Sequence, residues 1–149
     1  MVDETHTGRL EIQRRYPHPV DRVFQAWTDA EHVKPWWGPA DFTATQFEND
    51  FREGGAWRAV IVGPDGHSYG QSGRYTRIEA NRLIAFTFRW DEDDAPDTEI
   101  TVGFAPEGDR TLVTFRQSPF RDDESRTSHE AGWRECLDRL GARLGEGRR

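Results

Sequence analysis

Trp133-Arg134-Glu135-Cys136-Leu137-Asp138-Arg139-Leu140-Gly141-Ala142-Arg143-Leu144 is the stretch that decides the fold. Its apolar side chains Trp133, Leu137, Leu140 and Leu144 recur at spacings of four, three and four, which lays them in one continuous stripe along a helix. The helix is predicted over about Glu124 to Leu144, and no other element carries enough apolar surface to cover a sheet. Gly132 lies inside it at a cost of roughly 1 kcal/mol relative to Ala, so the helix backbone is expected to pass close to something bulky there.

Upstream, the chain reads as strands with turn signals at regular intervals. Leu83 to Trp90 places Ile84, Phe86, Phe88 and Trp90 on one face, and Glu99 to Phe104 repeats the alternation with Ile100, Val102 and Phe104. A turn at Glu107-Gly108-Asp109 leads to the last strand, Thr111 to Gln117. Further back, a long strand over Asp41 to Arg52 closes on Glu53-Gly54-Gly55. Ala56 to Val62 turns at Gly63-Pro64-Asp65-Gly66, where Asp-Gly supplies the positive φ angles of a tight hairpin. Ser68 to Glu79 follows, with Gly70 and Gly73 as bulge or bend positions.

The chain starts on a strand in which Leu10, Ile12 and Tyr16 alternate with polar residues until Pro17 and Pro19 stop it. Val20, Val23, Phe24 and Trp27 then mark an amphipathic helix of about ten residues with proline in its permitted first turn. Asp29 can cap a second brief helix, Ala30 to Lys34, ended by Pro35. The order is strand, two short helices, five or six antiparallel strands and one long helix. This predicts an α+β fold in which a curved antiparallel sheet wraps around the C-terminal helix. A sheet gripping one helix tends to leave a cavity open at one end, walled here by the short helices and the turn Trp36-Trp37-Gly38-Pro39.

Composition narrows the function classes. At 149 residues the chain is expected to form one domain over residues 8–145, with 1–7 and 146–149 as flexible termini. A net charge of −7 argues against a nucleic-acid partner, which needs a basic face. No apolar run reaches the roughly 18 residues of a membrane span. One cysteine, Cys136, excludes an intrachain disulfide, and with no secretory leader pattern the cytoplasm is the expected compartment. The acidic runs Asp91-Glu92-Asp93-Asp94 and Asp122-Asp123-Glu124 read as solvated loops, since neither has the glycine and closing glutamate of a calcium loop. A monomer or weak dimer is expected.

The motifs Pro19-x-x-x-Val23-Phe24-x-Ala26-Trp27-Thr28-Asp29, Trp36-Trp37-Gly38-Pro39, Asp50-x-Arg52-x-Gly54-Gly55, Gly66-x-x-Tyr69, Gly73-x-Tyr75-x-x-Ile78-Glu79 and His129-x-x-Gly132-Trp133-x-x-x-Leu137-x-x-Leu140 occur in this order. They resemble the START-like, helix-grip superfamily known as SRPBCC, which includes the birch-pollen-allergen (Bet v 1-like) fold. Within it they are similar to the small bacterial homologues of the activator of the 90-kDa heat-shock protein ATPase. The resemblance spans about Leu10 to Leu144. It implies the helix-grip fold and a set of relatives that includes lipid and hormone carriers, polyketide cyclases and a co-chaperone. The eukaryotic co-chaperone carries a further N-terminal domain for which this chain has no room, so chaperone activation is not carried over.

No catalytic constellation stands out, no metal spacing occurs among the five histidines, and no cofactor is expected. Cys136 and His129 are seven residues apart on one helix, roughly 10 Å along its axis, too far for a nucleophile and its base. Cys136 reads as a small core residue, and His129 either points into the cavity mouth or sits at the first turn of its helix. Asp50 and Arg52, two apart on the presumed strand, form either a structural ion pair or a polar anchor near the cavity. The Trp36-Trp37 pair either packs the core or walls a pocket. If a pocket forms, its expected lining is Trp36, Trp37, Trp57, Tyr69, Phe86, Phe88, Trp90, Phe104, His129 and Trp133.

Three functions follow. The leading one is a binding module enclosing a hydrophobic or aromatic small molecule in a closed cavity of several hundred Å³. The second is a cyclase- or hydrolase-type enzyme in the same cavity, using Asp50, Arg52, Tyr69 or His129 for proton transfer. The third is a protein-protein role of the stress-related chaperone kind, which an exposed aromatic patch would support.

Overall fold

A computed structural model describes residues 8–91 and 97–146. The expected flexible termini, apart from the backbone of Glu146, and the acidic segment after Asp91 lie outside the described residues. The elements are β1 (Leu10–Tyr16), α1 (Val20–Gln25), α2 (Ala30–Val33), β2 (Thr43–Asn49), β3 (Ala56–Val62), β4 (Ser68–Glu79), β5 (Leu83–Trp90), β6 (Thr98–Glu107), β7 (Arg110–Ser118) and α3 (Asp123–Glu146). The seven strands form one antiparallel sheet in the order β1-β7-β6-β5-β4-β3-β2. β2 to β7 is a meander of hairpins, and β1 returns to pair with β7 along its full length. The chain therefore crosses from one edge of the sheet to the other through α1 and α2. The result is a curled half-barrel of α+β class with α3 held in its concave face.

The stripe on α3 packs as its spacing demands: Leu137 and Leu140 are completely buried and Leu144 nearly so. Against it stand Leu10 and Ile12 of β1, Ile100, Val102 and Phe104 of β6, and Val113 and Phe115 of β7. Tyr16 donates its hydroxyl proton to the Leu137 carbonyl at 2.8 Å. Its ring lies where a Cβ on Gly141 would meet it at 3.2 Å, so it is Gly141 that lets β1 approach the helix most closely. At Gly132 a Cβ would meet the Pro39 ring at 3.4 Å, an ordinary contact. Asp122 caps α3 by accepting the Ser125 N–H at 2.7 Å, which holds its carboxyl below the usual range. Asp123 pairs with Arg126, so the second acidic run is a helix start rather than a loop.

Several expectations need correction. α1 ends at Gln25, and Trp27 follows in a turn although it remains buried. The strand expected over Asp41 to Arg52 is only Thr43–Asn49, with a register shift between Ala44 and Gln46 that turns both Ala44 and Phe47 inward. Asp50 and Arg52 thus lie beyond the strand end. Gly70 and Gly73 are not bulges, since the register of β4 on β5 shifts between Tyr75 and Arg77. They are close approaches: a Cβ on Gly73 would lie 1.8 Å from the Thr87 carbonyl, and one on Gly70 2.3 Å from Asp91 Oδ2. Asp91, read as part of a solvated loop, pairs with Arg58 at 3.2 Å and accepts from Ser72 at 2.9 Å.

Candidate functional site

The turn after α2 sets the site. Trp36 and Trp37 follow one another but enter different surroundings. Trp36 points into the core, edge-on to Trp27 at 4.8 Å, and donates its indole N–H to the Ala26 carbonyl at 3.3 Å. Trp37 crosses towards the sheet and helix, with Phe47 at 5.2 Å, Trp57 at 5.5 Å and Trp133 at 5.3 Å. Gly38 has φ 104°, a conformation that favours glycine and bends the chain away.

This turn is fastened to α3. Arg139 Nη1 lies 3.0 Å from each of the Gly38, Pro39 and Phe42 carbonyls, and Nη2 lies 3.3 Å from that of Pro35. Glu135 accepts the Ala40 N–H at 3.0 Å. The Cys136 thiol donates to the Trp36 carbonyl at 3.5 Å, and burial pushes its pKa up to about 12. That thiol is an inert packing group, as the sequence suggests.

Beside the turn lies a cleft of about 230 Å³, open on one side. Trp37, Gly38, Pro39 and Phe42 form its floor. Ile61 of β3, Tyr69 and Gln71 of β4, and Phe88 and Trp90 of β5 form one wall, and Ser128, His129, Gly132, Trp133 and Cys136 of α3 form the other. Among the described residues, no Asp, Glu, Lys or Arg lines it. It is smaller and more open than the closed cavity expected from sequence, because aromatic side chains fill the deeper space. Of the ten residues expected to line a pocket, Trp37, Tyr69, Phe88, Trp90, His129 and Trp133 meet here. The other four do not. Trp36 and Phe104 pack in the core near Trp27, while Trp57 and Phe86 border a void of about 10 Å³ behind Trp37. The Trp57 indole passes over Gly73 to reach the Thr87 carbonyl at 3.0 Å.

His129 stands at the mouth with both ring nitrogens engaged. Nε2 accepts the Trp90 indole N–H at 3.0 Å, and Nδ1 lies 2.9 Å from the Ser125 carbonyl. An indole N–H only donates and a carbonyl only accepts, so the arrangement requires a neutral imidazole with its proton on Nδ1. The ring spans the two walls and has no lone pair left to act as a base. Asp50 and Arg52 form an exposed ion pair at 2.7 Å outside the cleft, so neither can serve a reaction in it.

Sequence reasoning missed Gln71, Phe42, Ile61 and the clasp of Arg139. Gln71 had a signal: it shares a β4 face with Tyr69, Gly73 and Tyr75 and is the one amide side chain in that inward row. It is 5% exposed, and its Oε1 accepts the Trp37 indole N–H at 2.8 Å. Among the described residues, no helix is long and apolar enough to cross a membrane.

A family model described as "Activator of Hsp90 ATPase homolog 1-like protein" matches residues 17–145. Solved structures share the fold. A protein from Chromobacterium violaceum is 25% identical with a TM-score of 0.85, over 92% of this chain and 96% of that one. The AHSA1 protein from Silicibacter pomeroyi is 26% identical with a TM-score of 0.83, over 92% and 97%. A protein from Arthrobacter aurescens is 29% identical with a TM-score of 0.83, over 99% and 91%. A curated relative, phosphoribosylformylglycinamidine synthase subunit PurQ of Moorella thermoacetica, is 37% identical over 68 residues, 46% of this chain but 27% of that protein. The chain thus spans about a quarter of that relative's length.

Proposed function

We propose, for a chain that belongs to the family of Activator of Hsp90 ATPase homolog 1-like proteins, the function of a binding protein that takes a small apolar or aromatic molecule into the cleft between the sheet and α3. The observation that carries the reading is the cleft wall itself, where Trp37, Phe88, Trp90 and Trp133 converge with no Asp, Glu, Lys or Arg among the described lining residues. Concave surfaces of this make-up, mostly aromatic with a few placed polar groups, are where small molecules bind. A volume of about 230 Å³ lies below the ~300–1,000 Å³ of most drug-sized sites, so the occupant is of roughly bicyclic size rather than a sterol.

The reading favours binding over catalysis because the groups named for proton transfer are not assembled. Asp50 and Arg52 lie at the surface, and of the two that line the cleft, Tyr69 and His129, the imidazole is committed on both nitrogens. The test is a tryptophan-fluorescence titration against neutral bicyclic aromatics, flavonoids, fatty acids and sterols. Saturable one-to-one binding of the small aromatics is expected. Absence of saturable binding across the whole panel would overturn the reading.

A further inference from the structure

Two buried glutamines take part in the same kind of bond. Gln117 of β7, 1% exposed, accepts the Trp133 indole N–H on Oε1 at 2.8 Å, and Gln71 of β4, 5% exposed, accepts that of Trp37 at 2.8 Å. An indole N–H only donates, so each bond fixes which end of the carboxamide is oxygen and leaves the Nε2 hydrogens on the other side. At Gln117 those hydrogens are used: Nε2 donates to Thr98 Oγ1 at 2.9 Å, and Thr98 passes its own proton to the Phe88 carbonyl at 3.3 Å. At Gln71, Nε2 has no acceptor among the described residues, and the side chain belongs to the cleft wall. Gln71 Nε2 is not among the fully buried side-chain atoms that lack a partner, so it is reached from the open cleft, where an aromatic ligand that displaces water must supply an acceptor or leave this donor unpaired.

We infer that Gln71 reads the ligand: the molecule taken up is a neutral aromatic that carries a hydrogen-bond acceptor, of the aryl-ketone kind, whose oxygen receives the Nε2 hydrogens of Gln71. The inference rests on the cleft being a binding site and adds the chemistry of its occupant. Neutrality follows from the wall. A carboxylate in this cleft would be desolvated with no Lys or Arg among the described lining residues, and His129 holds its single proton on Nδ1 against Ser125. A ketone oxygen needs no countercharge. Discrimination follows as well, because a hydrocarbon of the same shape leaves the Gln71 donor unpaired, and sites built around a polar group reject analogues that lack its partner.

Three probes of one shape test this: 1-tetralone, tetralin and tetralin-1-carboxylate. The wild-type protein is expected to bind 1-tetralone about tenfold more tightly than tetralin, and the carboxylate more weakly than either. Gln71→Met is expected to bring 1-tetralone and tetralin within about twofold of each other while tetralin still binds. A measurement on the wild type alone guards against a variant that does not fold. The Gln71 side-chain NH2 resonances should move on addition of 1-tetralone and stay in place with tetralin. Equal binding of ketone and hydrocarbon, a carboxylate that binds best, or unmoved Gln71 resonances would overturn the inference and leave the cleft as a binding site. Failure of all three probes to bind would overturn the inference, and absence of saturable binding across the wider panel as well would overturn the reading on which it rests.

Discussion

The two ends of the space between sheet and helix are built from the same residue types and differ in whether their polar groups close on themselves. At the β7 end, Gln117, Trp133, Thr98 and the Phe88 carbonyl form a chain in which each donor meets an acceptor, and Leu137, Leu140 and Phe115 seal it. At the β4 end, Gln71 and Trp37 start the same chain and it stops at the cleft. The two tryptophans meet edge-on at 5.3 Å, so a completed network and an uncompleted one share a border. The comparison separates holding the fold from meeting a ligand: polar groups that close on themselves stabilise a core, and a donor left open to the cleft is available to a ligand.

Mutations ranked by effect put this contrast at risk. Leu140→Ala, in the sealed end and fully buried, is expected to cost about 2–5 kcal/mol in urea denaturation. Trp90→Ala on the half-buried rim should cost clearly less, and equal losses would break the distinction between the ends. Gln117→Met strands the Trp133 N–H and removes the donor to Thr98, so a loss of about 2–3 kcal/mol is expected, against about 1–2 kcal/mol for Gln71→Met, which strands one donor. The reverse order would contradict the assignment of the two networks.

Arg139→Met sharpens the contrast from the side of the turn. Removing the guanidinium from the Pro35, Gly38, Pro39 and Phe42 carbonyls should raise amide hydrogen exchange across residues 36–42 and cost about 1–2 kcal/mol. Exchange in β7 should not change.

Three ionisable groups give smaller effects. Burial pushes the Tyr75 hydroxyl up to about 12 from 10.0 and raises that of Tyr16 still further. Folding therefore favours the neutral phenols, and their contribution is fully present below pH 10 and lost as pH rises towards 12. Stability should fall by about 1 kcal/mol between pH 9 and pH 11 from Tyr75 alone, and Tyr75→Phe should flatten that part of the profile. The buried Cys136 thiol should resist a disulfide reagent at neutral pH in the native protein and react at once in denaturant. Rapid native labelling would show that α3 opens at the cleft.

The sequence revealed the order of the elements because period-two alternation in β5, β6 and β7 and the four-three-four stripe of α3 are both enforced by burial. It failed on Asp41 to Arg52, where the shift between Ala44 and Gln46 breaks alternation, an event that leaves no mark in the pattern of polar and apolar residues. It could not separate Trp36 from Trp37. Their divergence is set by Gly38 and by Arg139, about a hundred positions away in sequence, and only the folded chain brings that clasp together. Ile84, Phe86, Phe88 and Trp90 were rightly placed on one face, but which of them border open space depends on how far aromatic packing reaches along β5. Gln71 was visible as a polar break in the inward row of β4. An amide does not titrate, so its residue type alone carries no signal of a donor left open to the cleft.

The central claim is that the β4 end of the sheet-helix space receives a ligand and the sealed core does not. The six indole N–H resonances are separate reporters of this difference in the unmodified protein. Titration with 1-tetralone should move those of Trp37, Trp90 and Trp133 saturably and leave Trp27 and Trp36 in place. No movement, or equal movement of Trp27 and Trp36, would contradict the account.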